Sequence, residues 1–223
     1  MPYDGSRAPS PTQSGKKHEV PAVSSPTFRT VQRPERHEID KIKGSRFGAS
    51  LWPLADEGEV AGHLEWLRSQ VPGATHHCWA WRLGRDGDRF RVHDDGEPTG
   101  SAGRPILQRI DGHGLTDVLL VVSRTFGGTK LGVGGLIAAY GTAAAEVLER
   151  AEVRTITVTR RLSVRHPYDR SGAVRGLLAA MNLKPMEAEF GAEVRFVVDV
   201  PEGIVEEFLK ELRERTAGGA SAD

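Results

Sequence analysis

Five side chains able to do chemistry crowd one short stretch: Asp94, Asp95, Glu97, Thr99 and Ser101. Clustered carboxylates and hydroxyls can hold magnesium, activate water or supply a nucleophile. On that reading Glu97 or Asp95 is the base or magnesium ligand. The same residues also spell a turn followed by a helix cap. Asp and Gly favour turns, and Thr99 or Ser101 would serve as N-cap to a helix starting near Ala102. The turn reading is preferred for the aspartates, which leaves Glu97 as the candidate to follow. Thr99, Ser101 and Arg104 complete the loop's candidate functional face.

A second constellation runs from Arg124 to Gly141, RTFGGTKLGVGGLIAAYG. An unbroken apolar run, Val118 to Val122, precedes it and suits a strand buried on both faces. Val133, Leu136, Ile137, Tyr140, Ala144, Val147 and Leu148 follow at helical spacing. Glycines 127, 128, 132, 134 and 135 allow close backbone approach where strand becomes helix. Free amides at a helix N-terminus attract anions, and Arg124 and Lys130 would add positive charge. Known phosphate fingerprints nevertheless fail letter by letter. Gly127 to Gly132 has the span of a P-loop, but Val133-Gly134 follows instead of Lys-Ser or Lys-Thr. A dinucleotide loop begun at Gly132 and Gly134 meets Ile137 where a small residue is needed. The competing reading is a tight turn whose glycines serve packing alone.

Other sets carry less. His76 and Cys78 share one side of a predicted strand, with His93 as the only further ligand considered, so no metal site is expected. Neighbours on a strand project to opposite faces, so Cys78 and His77 do not form a nucleophilic pair. Between Arg154 and Arg175 there are six arginines and a single acid, Asp169. Arg161 and Arg165 alternate with the apolar side of a strand, and Arg170 and Arg175 fall in the following helix. Convergence of these four would hold phosphates of a nucleic acid. Glu187, Glu189 and Glu193 are available to neutralise them. Aromatic platforms other than Tyr168 are missing nearby, so neither sequence-specific RNA reading nor DNA specificity is expected.

The elements that must position these residues follow from composition and periodicity. The 223 residues hold 30 basic and 30 acidic side chains, which argues against a general polyanion coat. A single cysteine excludes an internal disulfide. The chain lacks both a membrane-length apolar run and a signal-peptide core, which predicts a soluble, cytoplasmic protein. Residues 1–33, rich in Ser, Pro and Thr, read as a disordered tail. A first domain over 34–153 contains a hairpin around Lys43-Gly44-Ser45, a helix through Val60 to Val71, strands at His76–Leu83 and Arg89–His93, and the loop and turn above. A second unit over 154–216 opens with a strand in which Ile156, Val158, Leu162 and Val164 alternate. Its βαββα order gives a small antiparallel sheet with both helices on one face, an α+β module. Residues 217–223 are expected to be flexible.

Read together, GHGLTDVLLVVSRTFGGTKLG (Gly112–Gly132), HHCWAW (His76–Trp81) and DDGEPTGSAGRPIL (Asp94–Leu107) resemble the IMPACT/YigZ family, over about Glu35 to Arg215. The resemblance implies two α+β domains. The first is similar to ribosomal protein S5 domain 2, an α/β sandwich, and the second is ferredoxin-like, similar to a module in elongation factor G. The family's eukaryotic members, similar in the first domain, act on control of translation initiation through a protein partner. One departure stands out: two aromatics usually separate the Arg from the Gly-Gly, whereas this chain has Thr125-Phe126. The expected function is a non-enzymatic, translation-associated binding protein, without cofactor, contacting RNA, the ribosome or a ribosome-bound partner. The alternative is an enzyme on a small phosphorylated or nucleotide substrate, its phosphate held at the Gly-rich turn.

Overall fold

In the computed structural model, which describes residues 26–223, alternation along three apolar strands places two separate cores on the two faces of one sheet. The elements of the first unit run β1 (Thr27–Val31), β2 (Glu35–Glu38), β3 (Arg46–Pro53), α1 (Glu59–Gln70), β4 (His76–Leu83), β5 (Arg89–His93), α2 (Gly103–Gly112), β6 (Val118–Thr125) and α3 (Gly132–Arg150). Its sheet is antiparallel, five strands in the order β2-β3-β6-β4-β5. Phe47, Ala49, Leu51, Cys78, Ala80, Val118, Leu120 and Val122 point to one face and pack beneath α2 and α3. Trp52, Trp79, Trp81, Leu83, Leu119 and Val121 point to the other, against Val60, Leu64 and Leu67 of α1. The strict period of two in β6 therefore feeds both cores from one strand, which is why that run reads as continuously apolar.

The second unit comprises β8 (Thr159–His166), α4 (Ser171–Ala180), β9 (Pro185–Phe190), β10 (Val194–Pro201), α5 (Val205–Arg215) and β11 (Ser221–Ala222), preceded by β7 (Val153–Thr157). Its sheet order is β11-β8-β10-β9. Leu162, Val164, Phe196, Val198 and Val200 pack under Val174 and Leu177 of α4 and Phe208 and Leu212 of α5. The opposite sheet face carries no helix of this unit.

Three expectations about boundaries are corrected. The tail expected over 1–33 ends early: β1 pairs antiparallel with β7, from Thr27↔Thr157 to Val31↔Val153, and Val31 is fully buried. The disorder expected for 1–25 lies outside the described residues. The single strand expected through Ile156 and Val164 is two, because β7 belongs to this ribbon and only β8 to the second sheet. The C-terminus expected to be flexible pairs with β8, Ser221 opposite Arg165 and Ala222 opposite Val164, and Asp223 exchanges backbone hydrogen bonds with Ser163. Thr216 caps this return: its hydroxyl donates to the Leu212 carbonyl and accepts from the Ala220 amide.

Candidate functional site

Arg124 ends the inward-facing row Val118, Leu120, Val122 of β6, and the alternation that buries those residues buries it too, to 5% exposure. A buried guanidinium needs a carboxylate, and the Asp94–Gly103 loop supplies one. Arg124 donates to Glu97 Oε1 at 2.7 Å, and the Tyr140 hydroxyl of α3 donates to the same oxygen at 2.8 Å. The Arg124 and Glu97 side chains are 6% and 4% exposed. The second guanidinium nitrogen donates to Ser45 Oγ at 3.4 Å, while the rings of Phe47 and Phe126 lie 5.6 and 5.5 Å from the guanidinium carbon. Arg124 Nε is buried without a hydrogen-bond partner among the described residues. The hairpin, the loop, β6 and α3 thus meet on one charge pair.

The loop is held by its aspartates, not by Thr99 or Ser101. Asp94 accepts from the amides of Gly100, Ala102 and Gly103 at 2.8, 3.0 and 2.9 Å, and so caps the start of α2 from eight to nine residues away. The cap expected from Thr99 or Ser101 is corrected: Ser101 Oγ is buried without a partner among the described residues, and the residue preceding α2 is Ala102. Asp95 adopts a left-handed backbone (φ 43°), its carboxylate accepts the His77 amide at 2.7 Å and its carbonyl lies 2.8 Å from His76 Nδ1. A carbonyl only accepts, so His76 Nδ1 carries the proton, and Nε2 faces Glu97 Oε1 at 3.9 Å. Both carboxylates considered as a base, Asp95 and Glu97, are occupied by donors of the chain itself. Cys78 lies beneath them, 2.9 Å from the Asp94 carbonyl and 3.3 Å from the Tyr140 hydroxyl. Burial pushes its thiol up to about 12, and burial together with Cys78 and Glu97 also pushes the Tyr140 phenol up. No group of three or more metal-ligating side chains assembles among the described residues.

The glycine turn divides by role. Gly127 donates its amide to Ser45 Oγ at 3.2 Å, and a Cβ on it would lie 1.9 Å from the carbonyl carbon of Gly44, so this glycine is a packing requirement. Gly128 and Gly132 take positive φ, 88° and 76°, that side chains resist. A Cβ on Gly135 would press on Leu131, whereas one on Gly134 would meet nothing within 4 Å. Arg124 is therefore not the outward cation the sequence suggests. Lys130 is exposed, and α3 begins without a side-chain cap. In the turn and the first turns of α3, Phe126, Val133 and Ile137 stand 45, 53 and 43% exposed, large apolar side chains left uncovered close in sequence to Lys130. Thr125 lines a cavity on the other face of β6, so a ring there would not have extended the Phe126 surface.

The second-unit arginines separate. Arg161 and Arg165 share the uncovered sheet face with Arg195, which stands opposite Arg165 in the register. Arg161 forms a two-bond pair with Asp199 at 2.8 and 3.0 Å, and Arg165 pairs with Asp223 at 2.9 Å. Arg170 pairs with Asp169 at 3.5 Å, and Arg175 lies in α4 beside an apolar groove on the helical face. The expected convergence of four cations is thus reduced to two, each with a carboxylate. Arg104 is exposed on the first turn of α2. Sequence reasoning missed Tyr140, read as one more apolar position, and Ser45; a buried phenol that must bond its hydroxyl was the available signal.

Two family models match the chain: the Impact N-terminal domain over residues 43–148 and a domain of unknown function, DUF1949, over residues 164–218. An IMPACT family member of Thermus thermophilus, in the pol 5′ region, is 43% identical over 162 residues, spanning 73% of this chain and 87% of that protein. The family member YigZ of Escherichia coli is 31% identical over 182 residues, 81% of this chain and 89% of its own length. A crystal structure of a hypothetical protein superposes with a TM-score of 0.64 at 29% identity, covering 89% of this chain and 97% of the other.

Two measurements check this geometry. Gly127→Ala lowers stability by about 3 kcal/mol or more, because backbone opposes the added methyl, whereas Gly134→Ala raises it by about 0.5 kcal/mol through the helix; thermal melts that rank them otherwise contradict the assignment. Cys78 stays unmodified by iodoacetamide at mildly alkaline pH until denaturant is added. Since its folded pKa is raised, the thiol's contribution to stability is present below the ordinary 9.0 and is lost as pH rises toward 12. Cys78→Ala removes that slope.

Proposed function

The chain belongs to the IMPACT family, and on that premise we propose that it is a non-enzymatic binding protein of the translation apparatus, docking on a ribosome-associated partner. The observation that carries this reading is the contrast between the two layers of the site. Below, every acid that could do chemistry is engaged by the chain: Glu97 by Arg124 and Tyr140, Asp95 by a strand amide, Asp94 by helix amides. Above, Phe126 and Lys130 of the turn that Gly127 packs in place, and Val133 and Ile137 of α3, are exposed. An interior whose carboxylates are each engaged, under an exposed apolar and cationic lip, is suited to contact, not to turnover.

Family membership is what supports the translation context. A protein surface, not bare RNA, is the preferred counterpart of the first domain, because exposed aliphatic side chains outnumber cations at the lip. RNA contact through Arg161 and Arg165 requires their ion pairs with Asp199 and Asp223 to open. Among the described residues no helix is long and apolar enough to cross a membrane.

Co-sedimentation with ribosomes at low salt tests the proposal. The unaltered chain pellets with ribosomes, Phe126→Ala with Val133→Ser weakens this at least about tenfold, and Arg161→Ala with Arg165→Ala changes it little, since interface anchors are worth 1–2 kcal/mol or more. Absence of the unaltered chain from the pellet, or loss confined to the arginine variant, overturns the assignment of the docking face.

A further inference from the structure

Packing leaves the identity of Gly48 unexplained. It lies in the interior of β3, hydrogen-bonded between β2 and β6, with Glu38 and Ser123 as its cross-strand neighbours. Glycine weakens a strand, and in such a position it marks a bulge or a close approach by backbone or ligand. The register of β3 with β6 runs unbroken through Gly48, and the ladder with β2 shows no shift from Leu51 down to its last pair, Glu38↔Gly48. A Cβ at this position would meet nothing within 4 Å. Neither a bulge nor a neighbouring backbone accounts for it, so what remains is the space itself.

That space is a cavity of about 640 Å³ on the sheet face opposite Arg124, where α1 ends short of the sheet edge. Volumes of several hundred cubic ångströms are typical of small-molecule sites. Gly48 and the hydroxyl residues Ser50, Ser123 and Thr125 form its floor. Leu67, Val71 and Pro72 make an apolar wall. The floor is preset: Ser123 Oγ lies 2.8 Å from Nδ1 of His77, its neighbour on β4, and both residues are buried. Burial holds the His77 pKa below its ordinary value, so the imidazole is neutral and one hydrogen bond fixes the hydroxyl, which keeps capacity for another. Two arginines stand at the rim. Arg46 is engaged by both oxygens of Glu38 at 2.8 and 3.0 Å, so the net positive charge comes from Arg36, which is opposite Ser50 in the register and lies 5.4 Å over the Trp66 ring.

We propose that this cavity binds a small organic anion, its carboxylate or phosphate head between Arg36 and the Ser50 and Ser123 hydroxyls, its apolar body over Gly48 against Leu67, Val71 and Pro72. The site is separate from the Phe126 docking face, on the other side of β6, and does not depend on that face's role.

Backbone amide spectra of the full chain, titrated with phenyl phosphate and with benzoate, test it. Both anions, or one of them, give saturable shifts at Gly48, Ser50 and Ser123 in the millimolar range, and a response to one alone assigns the head group. Phenol and benzylamine bind more weakly. Arg36→Gln weakens the anions roughly tenfold, the loss of one charge-assisted contact, and leaves phenol unchanged. Gly48→Val fills the floor and abolishes the shifts at Ser50 and Ser123 with no loss of melting temperature; should it misfold, Gly48→Ala is expected to weaken binding in a folded protein. No saturable shift from either anion, binding that persists unaltered in both Gly48 variants, or phenol binding as tightly as the anions overturns the proposal.

Discussion

The ion pair between Glu97 and Arg124 is the constraint round which the first domain is arranged. A buried pair of this kind adds little net stability over an apolar equivalent, because two desolvated charges offset most of their attraction. What it does impose is mutual dependence: neither group tolerates the interior without the other. Glu97 reaches Arg124 only if Asp94 and Asp95 fold the loop against β4 and α2. Arg124 meets Glu97 with the ring of Phe47 on it and Ser45 of the hairpin alongside. Tyr140 then ties α3 to the same oxygen. Segments far apart in sequence are fixed by one carboxylate.

This arrangement decides what each face of β6 can do. On the inner face the three carboxylates are engaged by donors of the chain, and the surface above them is left with apolar side chains and Lys130. On the outer face small side chains replace large ones toward one end of the sheet, and α1 leaves a cavity uncovered there. Both features follow from strand parity: residues 118, 120, 122 and 124 turn one way, 119, 121, 123 and 125 the other. One strand therefore serves a contact surface and a ligand-sized hollow without either disturbing the other.

Much of this was legible beforehand. The strands His76–Leu83, read from alternation, and Arg89–His93, read as following a turn, have the expected bounds, and the two-domain α+β architecture matches the pattern of elements. Arg124 was misread because an arginine beside glycines looks solvent-facing, although its parity with Val118, Leu120 and Val122 already placed it inside. Its partner, 27 residues away, left no local signal. Asp94 was read as a turn residue because caps are sought next to a helix, not eight positions before it. β1 and β11 escaped for another reason: short strands that depend on a distant partner have no periodicity of their own.

A double-mutant cycle on Glu97 and Arg124, read by denaturant unfolding, tests the central claim most directly. Glu97→Ala and Arg124→Ala are each expected to cost about 3–5 kcal/mol, and the double variant far less than their sum, a coupling of about 2 kcal/mol or more. Additive losses, agreeing within about 0.5 kcal/mol, would mean that the two charges do not depend on each other, and the arrangement described for this face would not hold.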